Sequence, residues 1–564
     1  MVICILSVII GVVAGFGALF FRLLIGLFHN VLFFGSFSPF YDANAHTPAS
    51  PWGAGVILVP VLGAMVVAFM IKNFAPETKG HGVPEVMEAI HYGQGNIRPV
   101  VAVVKALASG LTIGSGGSVG REGPIVQMGA AFGSALGQWT GFSARHRITL
   151  IAAGAGAGIG ATFNAPVGGL VFSLELMLVS VNAANILPVA LATVTGTYLG
   201  RELLGPAPAF DIPSLQTSAN IMVHLWEMLL MVPFGILMGL FAVLFIRGVY
   251  WAEDKFDALP GNYYTRHMLG MAALGVSMFC FQRFAGHYYV EGVGYSTIVD
   301  IMNGTLTNPF FLLFLLAAKL MATGLTIGSG GSGGVFSPSL FMGAALGSTF
   351  GHVAQALFPS MLIGPNLFAV AGMAAAVGGA TGAVLTAIII TFEMTLDLQA
   401  ILPIVIGATT AYAVRKSILR ESIYTLKPFR RGHMVPEGLE SAHGVAWRVS
   451  DVMRRDFTIL PQDEQPHLDP NITIVARDGL IIGPVPPVPD AIHAREKAEA
   501  LISDRFIIVP EKAGLTETLR ALHRVGGEIA LVSKNPSSRK VEDIVGVISA
   551  KEIVEAFENL AELG

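Results

Sequence analysis

From its first residue to about position 415 the chain strings together apolar stretches, among them 53–71, 98–113, 147–161, 165–180, 184–200, 223–247, 309–327, 366–378 and 382–415. A helix that spans a bilayer needs about 20 such residues. Some of the stretches reach that length, but many stop short at Gly or Pro. Short, broken helices survive inside a membrane only where protein packs around them or where they line a wet cavity. The 66 glycines suit close helix packing. The pattern therefore demands a many-helix body with an interior of its own.

Charge is unevenly placed. Of the charged residues, 36 lie in 1–430 and 36 in 431–564, so a membrane body is followed by a water-soluble tail. The net charge of −4 gives no basic footprint for a nucleic-acid partner. Cys4 and Cys280 sit in apolar runs and imply no disulfide framework. The opening "MVICILSVIIGVVAGFGALFFRLLIGLF" lacks a basic leader and exceeds a signal core, so it reads as a first membrane helix carrying Arg22.

The nine residues Gly110–Ser118 recur unchanged at Gly324–Ser332, with Lys105 and Lys319 ahead of them at the same offset. Further on, 158–177 pairs loosely with 376–395, which sets Glu175 opposite Glu393. Two related halves follow, roughly 50–200 and 265–415. Gly-interrupted helices at matching positions of two repeats point to a transporter fold with its site at the repeat interface. Spacing alone leaves the sense of the symmetry open, inverted being the commoner arrangement.

A Gly-rich loop that opens a helix presents backbone N–H groups and the positive end of the helix dipole. Two such loops face to face would hold an anion without a formal cation and so leave it free to move on. Tight helix packing is the alternative reading. A phosphate loop is excluded, because no Gly-Lys-Ser/Thr ending is present. The copies diverge just past the shared run: Arg121-Glu122 in the first, Val335-Phe336 in the second. A carboxylate at Glu122 would compete with an anion for the cradle when charged and leave it when protonated, making a gate. A structural N-cap, or an ion pair with Arg121 or Lys105, is the other reading. Phe336 then gives the second cradle an inert wall.

"GREGP" (120–124), "GGVFSP" (333–338) and "GHGVPE" (80–85) together closely resemble the signature loops of the CLC family of chloride channels and proton–chloride exchangers. The resemblance covers nearly all of 1–430. It implies a homodimer in the plasma (inner) membrane, two inverted repeats of broken helices in each subunit, and chloride or another small anion as substrate. Glu122 matches the gating glutamate. His81, Gly82, Arg121, Gly123, Val335, Phe336 and Tyr424 match the anion path. Two positions depart from the pattern. His81 stands where chloride-type members carry Ser, and either donates to the anion from its ring or turns away. Leu176 stands where coupled exchangers carry a proton-relaying Glu, so passive or weakly coupled conduction is expected ahead of proton exchange. Members also usually begin with a cytoplasmic helix, whereas Met1 is already apolar, so the start is expected to be either short or misassigned.

A rival cluster, His81, Glu85, Glu88 and His91, has near-helical spacing and would suit a metal-dependent membrane enzyme. Pro84 interrupts that face, so no metal is expected there. The expected fold is an all-α polytopic membrane domain over 1–430, a linker at 431–450 and a cytoplasmic α/β tail over 451–564. From about 503 to 562 the tail resembles a CBS domain, and a degenerate copy that lacks a helix precedes it. That resemblance implies an adenine nucleotide near Ser549 and Glu552, with a purely structural tail as the alternative. No cofactor is required for transport.

Overall fold

A computed structural model describes residues 2–179, 181–205, 221–359, 364–433, 435–438, 448–461, 472–485, 503–536 and 538–562. The chain forms two compact units, Met1–Leu439 and Glu440–Gly564. Most of the expected linker, 439–447, lies outside the described residues. The helical unit extends past the expected boundary at 430, because Glu437 reaches back to form an ion pair with the buried Arg415.

In the helical unit the first repeat runs α1 (Val2–Phe34), α2 (Leu58–Asn73), α3 (Val83–His91), α4 (Val100–Gly114), α5 (Glu122–Trp139), α6 (Ala144–Phe163), α7 (Pro166–Leu176) and α8 (Ala183–Leu204). The second runs α9 (Ile221–Ala258), α10 (Tyr263–Ala285), α11 (Tyr295–Met302), α12 (Pro309–Gly328), α13 (Phe336–Leu357), α14 (Pro365–Thr381), α15 (Val384–Thr395) and α16 (Ile401–Ile418). A short α17 (Leu426–Arg430) follows. The repeat is larger than the sequence pattern shows, because α1 and α9 belong to it. Helix α1 packs on α4, α6 and α8, and α9 packs on α12, α14 and α16.

Among the described residues seven helical segments are long and apolar enough to cross a bilayer. Their exposed faces carry Phe20, Leu62, Leu244 and Phe314, as a lipid-facing surface requires. Helices α6 and α14 are buried along most of their length and rich in Ala and Gly. At the crossing of α5 on α6, Gly129 and Gly154 abut so closely that a Cβ on either would strike the other's carbonyl. Gly343 and Gly372 do the same where α13 crosses α14. Only glycine permits backbones to approach this way.

The sense of the symmetry is read from two carboxylates. Glu175, near the end of α7, accepts from the start of α15: the N–H of Leu385 (3.1 Å) and of Thr386 (2.8 Å), and the Thr386 hydroxyl (2.7 Å). Glu393, near the end of α15, accepts from the N–H of Val167 (3.1 Å) and Gly168 (2.6 Å) at the start of α7. Each helix begins where its equivalent ends, so equivalent helices run antiparallel and the repeats are inverted. A carboxylate at a helix N-terminus satisfies orphan N–H groups and favours the dipole. Leu176, the next residue, is buried and apolar.

The second unit repeats a motif of its own. Strands β1 (Thr458–Pro461), β2 (Thr473–Arg477) and β3 (Leu480–Val485) form one sheet, and β4 (Phe506–Pro510), β5 (Ile529–Ser533) and β6 (Ile544–Ser549) another. In each sheet the first pair is parallel and the second antiparallel, with a bulge in the antiparallel pair. Ile474 and Ile481 of one sheet share a core with Leu531 and Val547 of the other. Helix α18 (Val449–Val452) precedes β1, α19 (Leu515–Val525) links β4 to β5, and α20 (Ala550–Glu562) follows β6. These strands and helices fit the α/β tail expected from the sequence. The segments that would show whether the first copy has a helix, 462–471 and 486–502, lie outside the described residues.

Replacing Glu175 with Ala should leave the start of α15 with unmet donors and cost about 1–3 kcal/mol. Thermal unfolding of the purified protein in detergent reads this as a lowered midpoint. Glu393→Ala should lower it similarly, and an unchanged midpoint in both would show that the exchanged caps do not stabilise the fold.

Candidate functional site

The duplicated loops meet at the centre of the helical unit. Gly120 and Gly334, equivalent positions in the two copies, each donate an N–H to the other's carbonyl at 2.7 Å. Around this pair, Ser109 meets Ser332 (2.9 Å) and Ser118 meets Thr323 (3.4 Å), again equivalent residues crossed over. The N-termini of α5 and α13 therefore converge, and their first N–H groups have no partner inside their own helices.

Two buried lysines brace the neighbouring segments. Lys105 Nζ donates to the carbonyls of Thr78 (3.0 Å) and Gly80 (2.8 Å), ahead of α3. Lys319 Nζ donates to those of Val290 (3.1 Å) and Gly292 (2.9 Å), ahead of α11. Gly82 and Gly294, at φ +86° and +80°, then turn the chain into α3 and α11. The same post thus aims a second pair of short helices at the centre.

Glu122 is buried at the first position of α5, yet its carboxylate turns across to the other repeat. Oε1 accepts from the Tyr295 hydroxyl at 2.7 Å and from the Ser337 hydroxyl, and Oε2 accepts from the Ser337 N–H at 3.4 Å. The carboxylate thus sits on the N-terminus of α13, the position an anion would take. Neither Arg121 nor Lys105 is its partner. The Arg121 guanidinium lies over the Tyr295 ring, 5.2 Å from its centroid.

The remaining expected residues gather on the side of α3. The His81 carbonyl packs against Gly123 so closely that a Cβ there would strike it. The His81 ring is buried, 6.4 Å from the ring of Tyr424 and 6.1 Å from that of Tyr250, and among the described residues its Nδ1 has no hydrogen-bond partner. Val335 caps α13, and the Phe336 ring lies tilted against that of Phe163, 5.3 Å between centroids. Beyond Tyr250 a cavity of about 790 Å³ opens, lined by Glu85, Glu88, Lys427, Arg430 and Arg431 among others. Lys427 pairs with Glu85 (2.7 Å) and Arg431 with Glu88 (2.6 Å). Glu88 also meets His433. Glu85 and Glu88, the carboxylates considered as metal ligands, are thus paired with cations of α17 and the residues after it.

Tyr295 is the functional residue that motif reading missed. Its signal was available, because "GVGY" (292–295) stands to Lys319 nearly as "GHGV" (80–83) stands to Lys105. In the tail, Glu552 accepts from the Ser549 N–H (2.8 Å) and hydroxyl (2.9 Å), and it pairs with Arg454. Both residues thus form a cap on α20.

Comparison with known proteins places this arrangement. The family model described as voltage gated chloride channel matches residues 63–416. The H(+)/Cl(-) exchange transporter ClcA of Vibrio parahaemolyticus is 31% identical over 435 residues, covering 75% of this chain and 88% of that protein. Among solved structures, a slow cyanobacterial Cl-/H+ antiporter matches with a TM-score of 0.66 and 24% identity, over 76% of this chain and 97% of its own. A CLC-type fluoride/proton antiporter matches with a TM-score of 0.59 and 25% identity, over 75% and 97%. The chain belongs to the voltage gated chloride channel (CLC) family. It is an integral membrane transport protein, not an enzyme.

Tyr295→Phe removes one hydrogen bond to a carboxylate, worth about 1.5–3 kcal/mol. Resting anion flux through reconstituted protein should rise by about tenfold or more as Glu122 leaves its seat more often. Flux at the wild-type level would show that the Tyr295 hydroxyl does not hold the gate.

Proposed function

We propose that the chain exchanges protons for chloride across the membrane, with Glu122 as both plug and proton carrier. The observation that carries this reading is the seat of the Glu122 carboxylate on the N-terminus of the opposite repeat. Charged, it takes the donors that an anion needs. Protonated, it loses the charge-assisted part of those bonds and yields the seat. A group that leaves as it gains a proton, and returns as it loses one, moves proton and anion in opposite senses. The names of the ClcA relatives and of the antiporter structures support exchange.

That support reverses the weight placed on Leu176, from which passive conduction was expected. An apolar Leu176 closes one proton route but leaves the Glu122 carboxylate on its seat. The channel-like reading keeps one observation in its favour: Glu175, the nearest carboxylate, is committed to the cap of α15. His81 takes the place of a hydroxyl donor in the anion path. Chloride is the substrate read here, with nitrate and fluoride as the anions to compare against it.

The chain is read as a homodimer in the plasma (inner) membrane, with the second unit in the cytoplasm. Exposed Val194, Tyr198 and Leu402 on α8 and α16 offer apolar surface to lipid or to a second subunit. An adenine nucleotide at Ser549 would have to compete with Arg454 and the α20 cap for Glu552. A structural tail fits that arrangement better.

Liposomes loaded with chloride and carrying the purified protein test the proposal when efflux and external pH are recorded together. Exchange requires proton uptake in fixed ratio to anion efflux, with Glu122→Ala abolishing the proton movement while anion efflux persists. Anion efflux without coupled protons in the wild type would return the reading to a channel.

A further inference from the structure

On the face opposite the large cavity, the segment entering α11 carries a buried carboxylate that the cycle above does not use. Glu291 is 9% exposed. Its Oε1 accepts from the Thr47 hydroxyl at 2.7 Å and lies 3.1 Å from His29 Nε2. Its Oε2 is buried and, among the described residues, has no hydrogen-bond partner. The same holds for His29 Nδ1. The His29 ring stacks on Phe33 (4.6 Å) and lies against Tyr41 (4.3 Å).

The other groups that face Glu291 come from every element around it. Tyr41 and Thr47 belong to the segment between α1 and α2, with Asp42 and Arg121 behind Tyr41. Tyr288 lies on its own segment, and Lys319 reaches in from α12. Lys319 holds the carbonyls on both sides of Glu291, those of Val290 and Gly292. A polar cavity of about 20 Å³, room for about one water, is lined by Glu291, His46, Thr47, Gly294 and Ser296 among others. Gly294 and Ser296 flank Tyr295, whose hydroxyl holds Glu122.

We propose that Glu291 is a second protonation site on this face, a positioning residue that sets the grip of Tyr295 on Glu122 according to the pH there. The proposal rests on the exchange reading and adds to it a control from one side. Charged, Glu291 ties α1 and the 35–52 segment to the segment before α11 through His29 and Thr47. Protonated, it offers those donors a weaker acceptor and itself turns donor. The change falls four residues before Tyr295, in a segment folded tightly by Gly292 and Gly294, both at positive φ. A looser segment lets the Tyr295 hydroxyl move off Glu122.

The test is anion current through the full-length protein in planar bilayers, with pH varied on one side and fixed on the other. Wild type, Glu291→Gln, Thr47→Val, Tyr295→Phe and the Glu291→Gln/Tyr295→Phe pair are compared. Glu291→Gln should move the midpoint of the pH dependence by half a unit or more on one side only. Thr47→Val, which removes a single donor, should shift it on the same side by less. In the Tyr295→Phe background Glu291→Gln should add nothing. A Glu291→Gln profile that superimposes on wild type overturns the proposal. So does an equal shift on both sides, or an undiminished effect without the Tyr295 hydroxyl. Should Glu291→Gln fail to fold, Thr47→Val decides alone, and an unshifted profile overturns the proposal. Wild-type current with no coupled proton movement would instead sink the exchange reading, whatever Glu291 does.

Discussion

A broken helix in a membrane leaves N–H groups that lipid cannot satisfy. In this chain the second repeat satisfies the breaks of the first, and the first those of the second. Gly120 and Gly334 pair across the centre, and Glu175 and Glu393 cap each other's helices. Lys105 and Lys319 hold the carbonyls ahead of α3 and α11. Neither half is a finished structure alone. In the proposed reading the anion seat is what remains where two helix starts face each other and their donors are left for something mobile.

Function enters where the copies stop being identical. In the reading proposed above, Glu122 is a plug where its equivalent, Phe336, is a wall. Ser337 supplies a hydroxyl where Gly123 has none, and Tyr295 a second hydroxyl on an element whose equivalent begins with Val83. The first repeat thus contributes the titratable group and the second its seat. On the side of α3, His81 brings a buried ring where those residues bring hydroxyls, with the buried Tyr424 ring 6.4 Å from it. A symmetric scaffold thereby acquires two unlike faces.

Much of this was legible in the residues. The apolar stretches and the nine-residue repeat gave the membrane body and its duplication, because hydropathy and Gly placement are local properties. Glu122 stood out as a carboxylate in a place that wants an anion. Part of what stayed hidden depended on contacts more than 170 positions apart. The repeat marks the position of Tyr295 but does not show that its hydroxyl reaches Glu122, 173 residues away. Glu175 stands one residue off the relay position, and nothing along the chain showed that three donors of α15 would hold it. Ser549 and Glu552 resemble ligand contacts in one dimension and form a helix cap in three. The inverted sense of the repeats was likewise invisible in spacing, since parallel and antiparallel copies read the same along a chain.

The crossed caps of α7 and α15 also bear on how the molecule comes into being. The start of α7 waits for Glu393, which lies 226 positions downstream of Val167. During synthesis the first half must therefore enter the bilayer with that helix end exposed, sheltered by water or by other proteins. Completion of the chain, and not the insertion of any one helix, is the event that seals the interior against lipid.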